Sequence, residues 1–183
     1  IENLKLNDEN SFRILVDLFK KKVFNTSLSI IQNIDDADDI SQDVFIQIFK
    51  SINKFKGNSS LSTWIYKITI SKSFEYIRFK KRKKRFSTLL KLFREDGSII
   101  DIPDFVHPGI LLERKEDSKL LFEAIEKLNQ YQKQAYILKN ITGLSYKEIA
   151  DVMNKTTSSI ESLIFRAKRN LKKELIKKMD NKK

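Results

Sequence analysis

The sequence contains no cysteine and a single histidine, His107. Without thiols there are no disulfides and no thiolate metal sites, and one imidazole builds neither a zinc site nor a nucleophile–base pair. There is no glycine-rich phosphate loop. The aspartates between Asp35 and Asp43 lack the alternate ligands and closing glutamate of a calcium loop. Neither enzymatic chemistry nor a cofactor is expected. No apolar run approaches the roughly 20 residues of a membrane span, no signal peptide pattern is visible, and no stretch alternates convincingly enough for a strand. These absences point to an all-helical, soluble, cytoplasmic protein with no insertion into a membrane.

What the chain has in excess is positive charge. Lys and Arg number 36 against 24 Asp and Glu, a formal net charge of +12 over 183 residues. That balance favours a polyanionic partner, nucleic acid or an anionic membrane surface. Clustering says more than the sum. Seven of the eight residues from Arg78 to Arg85 are basic, and the chain after Phe165 is basic again. A membrane surface fits the first cluster poorly, because Phe79 is its one apolar anchor. Acidic residues gather instead at Asp35, Asp36, Asp38, Asp39 and Asp43. Such segregation suggests two kinds of contact, one with nucleic acid and one with a basic protein surface.

Apolar residues recur at helical spacing through most of the chain. A first helix is predicted over 8–32, capped by Asn7 or Asp8, with Phe12, Leu15, Val16, Phe19, Val23, Leu28 and Ile31 facing inward. A second fits 36–54: Ile40, Val44, Ile48 and Ile52 are four apart, with Phe45, Phe49 and Phe55 beside them. Its acidic opening suits the positive end of the helix dipole. A loop from Lys56 to Ser60 comes next, then a third helix capped by Ser60 or Ser62. Trp64, Ile65, Ile68, Phe74 and Ile77 face inward from it, and it runs out near Arg85. Trp64 is in register with Ile65 and Ile68, which assigns it to the core.

From Phe86 the periodicity fades, and Asp96-Gly97, Pro103 and Pro108 punctuate an irregular linker over 86–110, with a short helix expected around Leu89, Leu90, Leu92 and Phe93. Four helices are predicted beyond it, over 111–128, 130–141, 145–153 and 157–178. The expected architecture is two helical domains, 1–85 and 111–183.

The last two helices carry the most specific pattern. Ile149, Ala150 and Met153 mark one face of a short helix, and Ile160, Leu163, Ile164, Ala167 and Leu171 one face of a longer one. Asn154-Lys155-Thr156-Thr157 between them reads as a tight turn. Asn154 tolerates left-handed angles where many such turns place glycine, and Thr156 or Thr157 can cap the longer helix. The small Ala150 permits the close crossing of a helix-turn-helix. Ser158, Ser159, Glu161, Ser162, Phe165, Arg166 and Arg169 form the outer face, a set suited to base edges and phosphates in a major groove. The plain alternative is a helical hairpin with a wet outer face; the capped turn and the basic helix favour DNA.

Taken together, DADDISQDVFIQIFKSINKFKGNSSLSTWIYKI, the basic helix, the linker and GLSYKEIADVMN with SSIESLIFRAKRNL resemble the extracytoplasmic-function group of bacterial sigma factors, over roughly 8–85 and 115–175. The SIESLIFRAK form of the last helix looks most like Bacteroidetes-type members.

The resemblance implies a protein without covalent chemistry. Such a protein binds core RNA polymerase, brings it to promoter DNA and helps melt the duplex. The second helix would dock on the clamp helices of the largest core subunit through Asp36, Asp38, Asp39, Gln42, Asp43 and Gln47, with Phe45 as an apolar anchor. The flap region of polymerase and an anti-sigma factor are further partners the family implies. The loop and third helix would capture an unstacked −10 base. Lys56, Asn58, Ser59 and Ser60 supply polar contacts there, Leu61 an apolar wall, and Ser71, Lys72, Glu75 and Arg78 the exposed helix face. Leu61 stands where an aromatic is frequent, Ser71 where Asn is and Glu75 where Asp is, so the base read at −10 is expected to differ.

In the final helix, Ser158 and Ser159 would lie near phosphates of the −35 element, and Glu161, Ser162, Phe165 and Arg166 at base edges. Lys168 and Arg169, with Lys172 and Lys173, would neutralise phosphates. Glu161 replaces a frequent basic residue and can accept from a cytosine amine. The linker would thread toward the RNA exit path, with Asp96, Asp101 and Asp104 mimicking nucleic-acid charge; a merely solvated tether fits it as well. The competing reading of the whole chain is a stand-alone helix-turn-helix regulator, with the first domain as a sensor or dimerisation module. The acidic second helix argues against that, since dimeric operator binding gives it no role.

Overall fold

The computed structural model describes residues 1–91 and 115–180, and the described residues are helices joined by turns. The first half is a helical bundle. A short α1, Glu2–Lys5, not expected from the sequence, places Leu4 under the next helix. Helix α2, Glu9–Ile31, starts where Asp8 accepts from the Ser11 amide at 2.7 Å, so of the two cap candidates Asp8 is the cap. Helix α3 spans Ile34–Ser51, and a 3-10 turn carries Ile52–Lys54. It begins two residues earlier than its acidic opening suggested, because Asn33 accepts from the Asp36 amide at 2.9 Å.

Helix α4, Leu61–Lys91, opens on Ser60, whose hydroxyl accepts from the Thr63 amide at 3.0 Å. It also runs past Arg85, so residues 86–91 are helical where an irregular linker was expected. Linker residues from Leu92 on, including Phe93, Asp96, Asp101, Asp104 and His107, lie outside the described residues.

Leu15, Val23, Ile40, Val44, Ile48, Ile52, Phe55 and Ile65 close a first core among α2, α3 and α4. The four-residue spacing of α3 therefore does what it predicts. Phe49 does not: it is 45% exposed and meets Phe12 edge-on, ring centroids 5.1 Å apart. Helix α2 also buries Thr26, Ser27 and Ser29, polar side chains that no apolar count selects. The Thr26 and Ser29 hydroxyls donate back to the carbonyls of Lys22 and Asn25 at 2.7 Å, which gives each a local acceptor inside the helix.

The second half comprises α5, Lys115–Glu126, α6, Gln130–Asn140, α7, Tyr146–Met153, and α8, Thr157–Asp180. Phe122, Ile125, Ile137, Leu138, Ile149, Ile160 and Ala167 are buried in its core. That core does not stop at its own helices. It continues onto Ile30 of α2 and Tyr66, Ile70 and Phe74 of α4, through packing of α6 on α2 and α7 on α4. No described helix is long and apolar enough to cross a membrane.

Candidate nucleic-acid interface

The turn between α7 and α8 is built as its residue types require. Asn154 sits at φ 52° and ψ 53°, the left-handed conformation an asparagine adopts with little strain. The Lys155 amide donates back to the Ala150 carbonyl at 2.9 Å, closing the end of α7. Thr156 is the cap of α8: its hydroxyl accepts from the Ser159 amide at 3.2 Å. The front of α7 is held by a reciprocal capping box that the apolar pattern does not reveal. The Ser145 hydroxyl accepts from the Glu148 amide at 3.3 Å and Glu148 accepts from the Ser145 amide at 2.8 Å.

With Ile160, Leu163, Ile164, Ala167 and Leu171 buried, the opposite face of α8 is left to solvent. Ser158, Glu161, Ser162, Phe165, Arg166, Lys168 and Arg169 are exposed on it, and Ser159 is half-buried. Glu161, Ser162, Phe165 and Arg166 surround one shallow depression. Phe165 is 68% exposed, an aromatic held largely out in water. Arg166 lies back along the helix, its Nε donating to the Ser162 carbonyl at 3.1 Å.

The residues expected to read a −10 strand fall into two groups. Lys56, Asn58 and Ser59 line a cleft of about 560 Å³ with Lys54, Phe55, Thr63, Trp64 and Lys67. Gly57 turns the loop there with φ at 74°, a conformation costly for other residues. Trp64 is half-buried rather than fully in the core; its indole leans on Phe55, centroids 5.3 Å apart, and its remaining surface faces the cleft. Ser60 is engaged as the cap of α4 and Leu61 packs on the first core, so neither lines the cleft. Farther along α4, the Ser71 hydroxyl donates to Glu75 at 2.9 Å; Arg78 is exposed and Lys72 half-buried.

On α3, Asp38, Asp39, Gln42 and Asp43 are exposed, and Gln42 donates to Asp38 at 3.0 Å. Asp36 is half-buried, Gln47 likewise, and Phe45 packs against the first core rather than standing out as an anchor. Toward its end this helix exposes Ile46 (49%) and Phe49 (45%), which sequence reasoning missed. Their spacing could have shown them: 39, 42, 43, 46 and 49 share one face. Thus α3 turns outward a surface acidic at its start and apolar at its end. Lys54 and Lys67 of the cleft were missed too, since nothing in the local pattern reveals that the turn of α7 and α8 faces them.

Comparison with known proteins gives two matching family models in chain order, "Sigma-70 region 2" over residues 15–83 and "Sigma-70, region 4" over residues 118–171. Among curated relatives, an RNA polymerase sigma-H factor of Pseudomonas aeruginosa is 26% identical over 179 residues, covering 96% of this chain and 91% of that protein. An ECF RNA polymerase sigma-E factor of Haemophilus influenzae is 27% identical, covering 96% and 93%. That of Escherichia coli K12 is also 27% identical, covering 92% and 88%. Among solved structures, the sigma factor RpoE in complex with the anti-sigma factor NepR from Bartonella quintana aligns with a TM-score of 0.68 at 22% identity, over 90% of this chain and 96% of that one. CnrH in complex with the cytosolic domain of CnrY aligns at 0.68 and 19% identity, over 95% and 93%. At such identities these two structures speak for the shared fold.

Proposed function

Because the chain belongs to the extracytoplasmic-function sigma factors of RNA polymerase, we propose a division of labour among its three exposed surfaces. The protein is a sigma factor: it binds core RNA polymerase and directs promoter recognition, DNA melting and the start of transcription. Helix α3 docks on polymerase through Asp39, Gln42 and Asp43, with Ile46 and Phe49 supplying the apolar contact first expected of Phe45. Lys56, Asn58 and Ser59 with Trp64 form the −10 reader, and Glu161, Ser162, Phe165 and Arg166 the −35 reader. The remaining basic residues of α8 neutralise phosphates. Its chemistry is binding alone, its place is the cytoplasm, and an anti-sigma factor is a fitting regulator. The SIESLIFRAK form of α8 supports a Bacteroidetes-type member.

The observation that carries this reading is the outward face of α3. A row of carboxylates running into exposed Ile46 and Phe49 is a protein-docking surface, and a free-standing operator-binding regulator has no use for one beside a separate DNA-reading helix. The test is co-elution with bacterial core RNA polymerase on a sizing column, at salt high enough to suppress ionic sticking. A stoichiometric complex is expected, abolished by Asp39→Lys with Asp43→Lys while helicity is retained. No complex, with tight sequence-specific binding of duplex DNA by the free protein, would favour the stand-alone regulator.

A further inference from the structure

Lys133 of α6 is buried against the wrong half of the molecule for a residue serving only its own bundle. Its side chain is 5% exposed, and its ammonium donates to the Ile30 carbonyl of α2 at 2.7 Å and to Glu126 of α5. Gln32, the left-handed cap that ends α2, reaches across at the same place, its amide donating to the Phe122 carbonyl at 3.1 Å and to Glu126 at 3.0 Å. Ile30 lies in the last turn of α2, where carbonyls lack helical partners and a cation is favoured by the dipole. A lysine supplied by the second half thus completes the end of a helix in the first. Burial pushes the Lys133 ammonium below its usual range, with Glu126, itself half exposed, opposing that.

The consequence lies some distance along the same contact. Helix α7 packs on α4, and Tyr66, Ile70 and Phe74 are buried beneath the second half. This brings the α7–α8 turn over the −10 loop: Ala150, Asp151, Asn154, Lys155 and Thr156 form the far wall of the cleft that Lys56, Asn58, Ser59 and Trp64 line. Four lysines from the two halves, Lys54, Lys56, Lys67 and Lys155, crowd this cleft with Asp151 as its one carboxylate. Like charge there opposes the closed arrangement, and the apolar contact and the Lys133 latch oppose its opening. The −35 face of α8 points away and remains exposed.

We propose that this packing is a closed state in which the helix-turn-helix turn covers the −10 reader while the −35 reader stays available. Lys133, Gln32 and Glu126 are its latch, and opening admits the single strand. The covering part rests on the proposed −10 assignment; the latch does not. Because the chain has no cysteine, Lys21→Cys on α2 and Lys147→Cys on α7 take two dyes uniquely. In the free full-length protein, energy transfer between them is expected to fall on Lys133→Met and on Gln32→Ala, with helicity unchanged. Affinity for a −10-type single strand should rise severalfold in parallel, as the open fraction grows, and affinity for a −35 duplex should stay level. Gln32→Ala, at the solvent edge, decides the matter if Lys133→Met does not fold. Transfer unchanged in both variants overturns the latch, as does low transfer in the unmodified protein. Lowered transfer without a gain in strand affinity overturns the covering. In that case promoter melting by polymerase carrying Asn58→Ala tells whether the −10 assignment itself has failed: intact melting means it has.

Discussion

Lys80 of α4 donates a hydrogen bond to the Asp36 carboxylate of α3 at 2.5 Å, tying the start of the acidic helix to the start of the basic run. The Lys80 ammonium also stands 5.5 Å from the centre of the Tyr76 ring. Burial raises the Asp36 carboxyl, and the hydrogen bonds of Lys80 and Tyr76 outweigh it, holding Asp36 below the usual carboxylate range. Lys80 is raised in turn, chiefly by Asp36. Asp36 is therefore engaged inside the first bundle, while Asp35, Asp38, Asp39 and Asp43 stand exposed.

Replacing Asp36→Asn is expected to cost only about 0–1 kcal/mol at neutral pH, since Lys80 is 62% exposed and solvent screens the pair. The sign with pH is set by the two shifts. A lowered carboxyl contributes stability above its unfolded value and loses it as pH falls through the folded one. A raised lysine contributes fully below its own unfolded value and loses it as pH rises through the folded one. The difference between Asp36→Asn and the unmodified protein should be flat in between and vanish in acid. Urea unfolding across the acid limb checks this; a difference that persists below the carboxylate range would show that Asp36 acts through packing instead.

Ser145→Ala should lower stability by about 1 kcal/mol, the usual cost of an N-cap. It removes the acceptor of the Glu148 amide, while the Ser145 backbone amide still reaches the Glu148 side chain. Ser145 is also the group that lowers the Glu148 carboxyl most, so acidification should weaken the same box from its other side. Thermal unfolding would register the loss, and Ser145→Asp, which keeps an acceptor, should recover most of it. Equal losses in both variants would place the effect outside the cap.

The helices were legible because periodicity and capping agree: the α3 spacing of Ile40, Val44, Ile48 and Ile52 ends with all four buried, and Asn154 adopts the left-handed turn its type permits. The outer face of α8 emerged as the complement of Ile160, Leu163, Ile164, Ala167 and Leu171. What stayed hidden is relational. Phe49 reads as core by hydrophobicity, yet with Ile40, Val44 and Ile48 buried on one side of α3, positions 46 and 49 fall on the other. Lys133 reads as a surface residue by charge, and only the fold of the other half supplies the carbonyl that permits its burial. Ser60 reads as a strand contact or as a cap, and local backbone geometry decides for the cap.

Arg166→Ala is expected to relax base preference within the −35 element and to cost about 1–3 kcal/mol against the preferred sequence. Its guanidinium now rests on the Ser162 carbonyl, an intrahelical contact weak enough to exchange for a guanine edge. Neighbouring Phe165→Ala should lower affinity without creating a new preference, since an aromatic contact to a thymine methyl or sugar carries less discrimination. Binding measured over a randomised −35 pool separates the two. An unchanged preference profile for Arg166→Ala would remove that residue from the reader.

Lys172 and Lys173 are adjacent and exposed, but they do not share surroundings. Lys172 and Lys168 border an apolar groove lined by Leu121, Tyr136, Leu171 and Leu175, whereas Lys173 does not. If both serve only to neutralise phosphates, Lys172→Ala and Lys173→Ala each weaken every DNA sequence alike. Each should then flatten the slope of log affinity against log salt by about 0.9 for every phosphate no longer neutralised. If polymerase seats an apolar segment in that groove, Lys172 has a second route to effect. The two variants should therefore match in duplex binding and differ in holoenzyme assembly, Lys172→Ala being the weaker assembler. Salt titration of duplex binding and polymerase titration of the same two proteins make the comparison. A sequence-selective loss in either variant would mean that the lysine reads bases, which its place beyond Arg169, toward the end of α8, argues against.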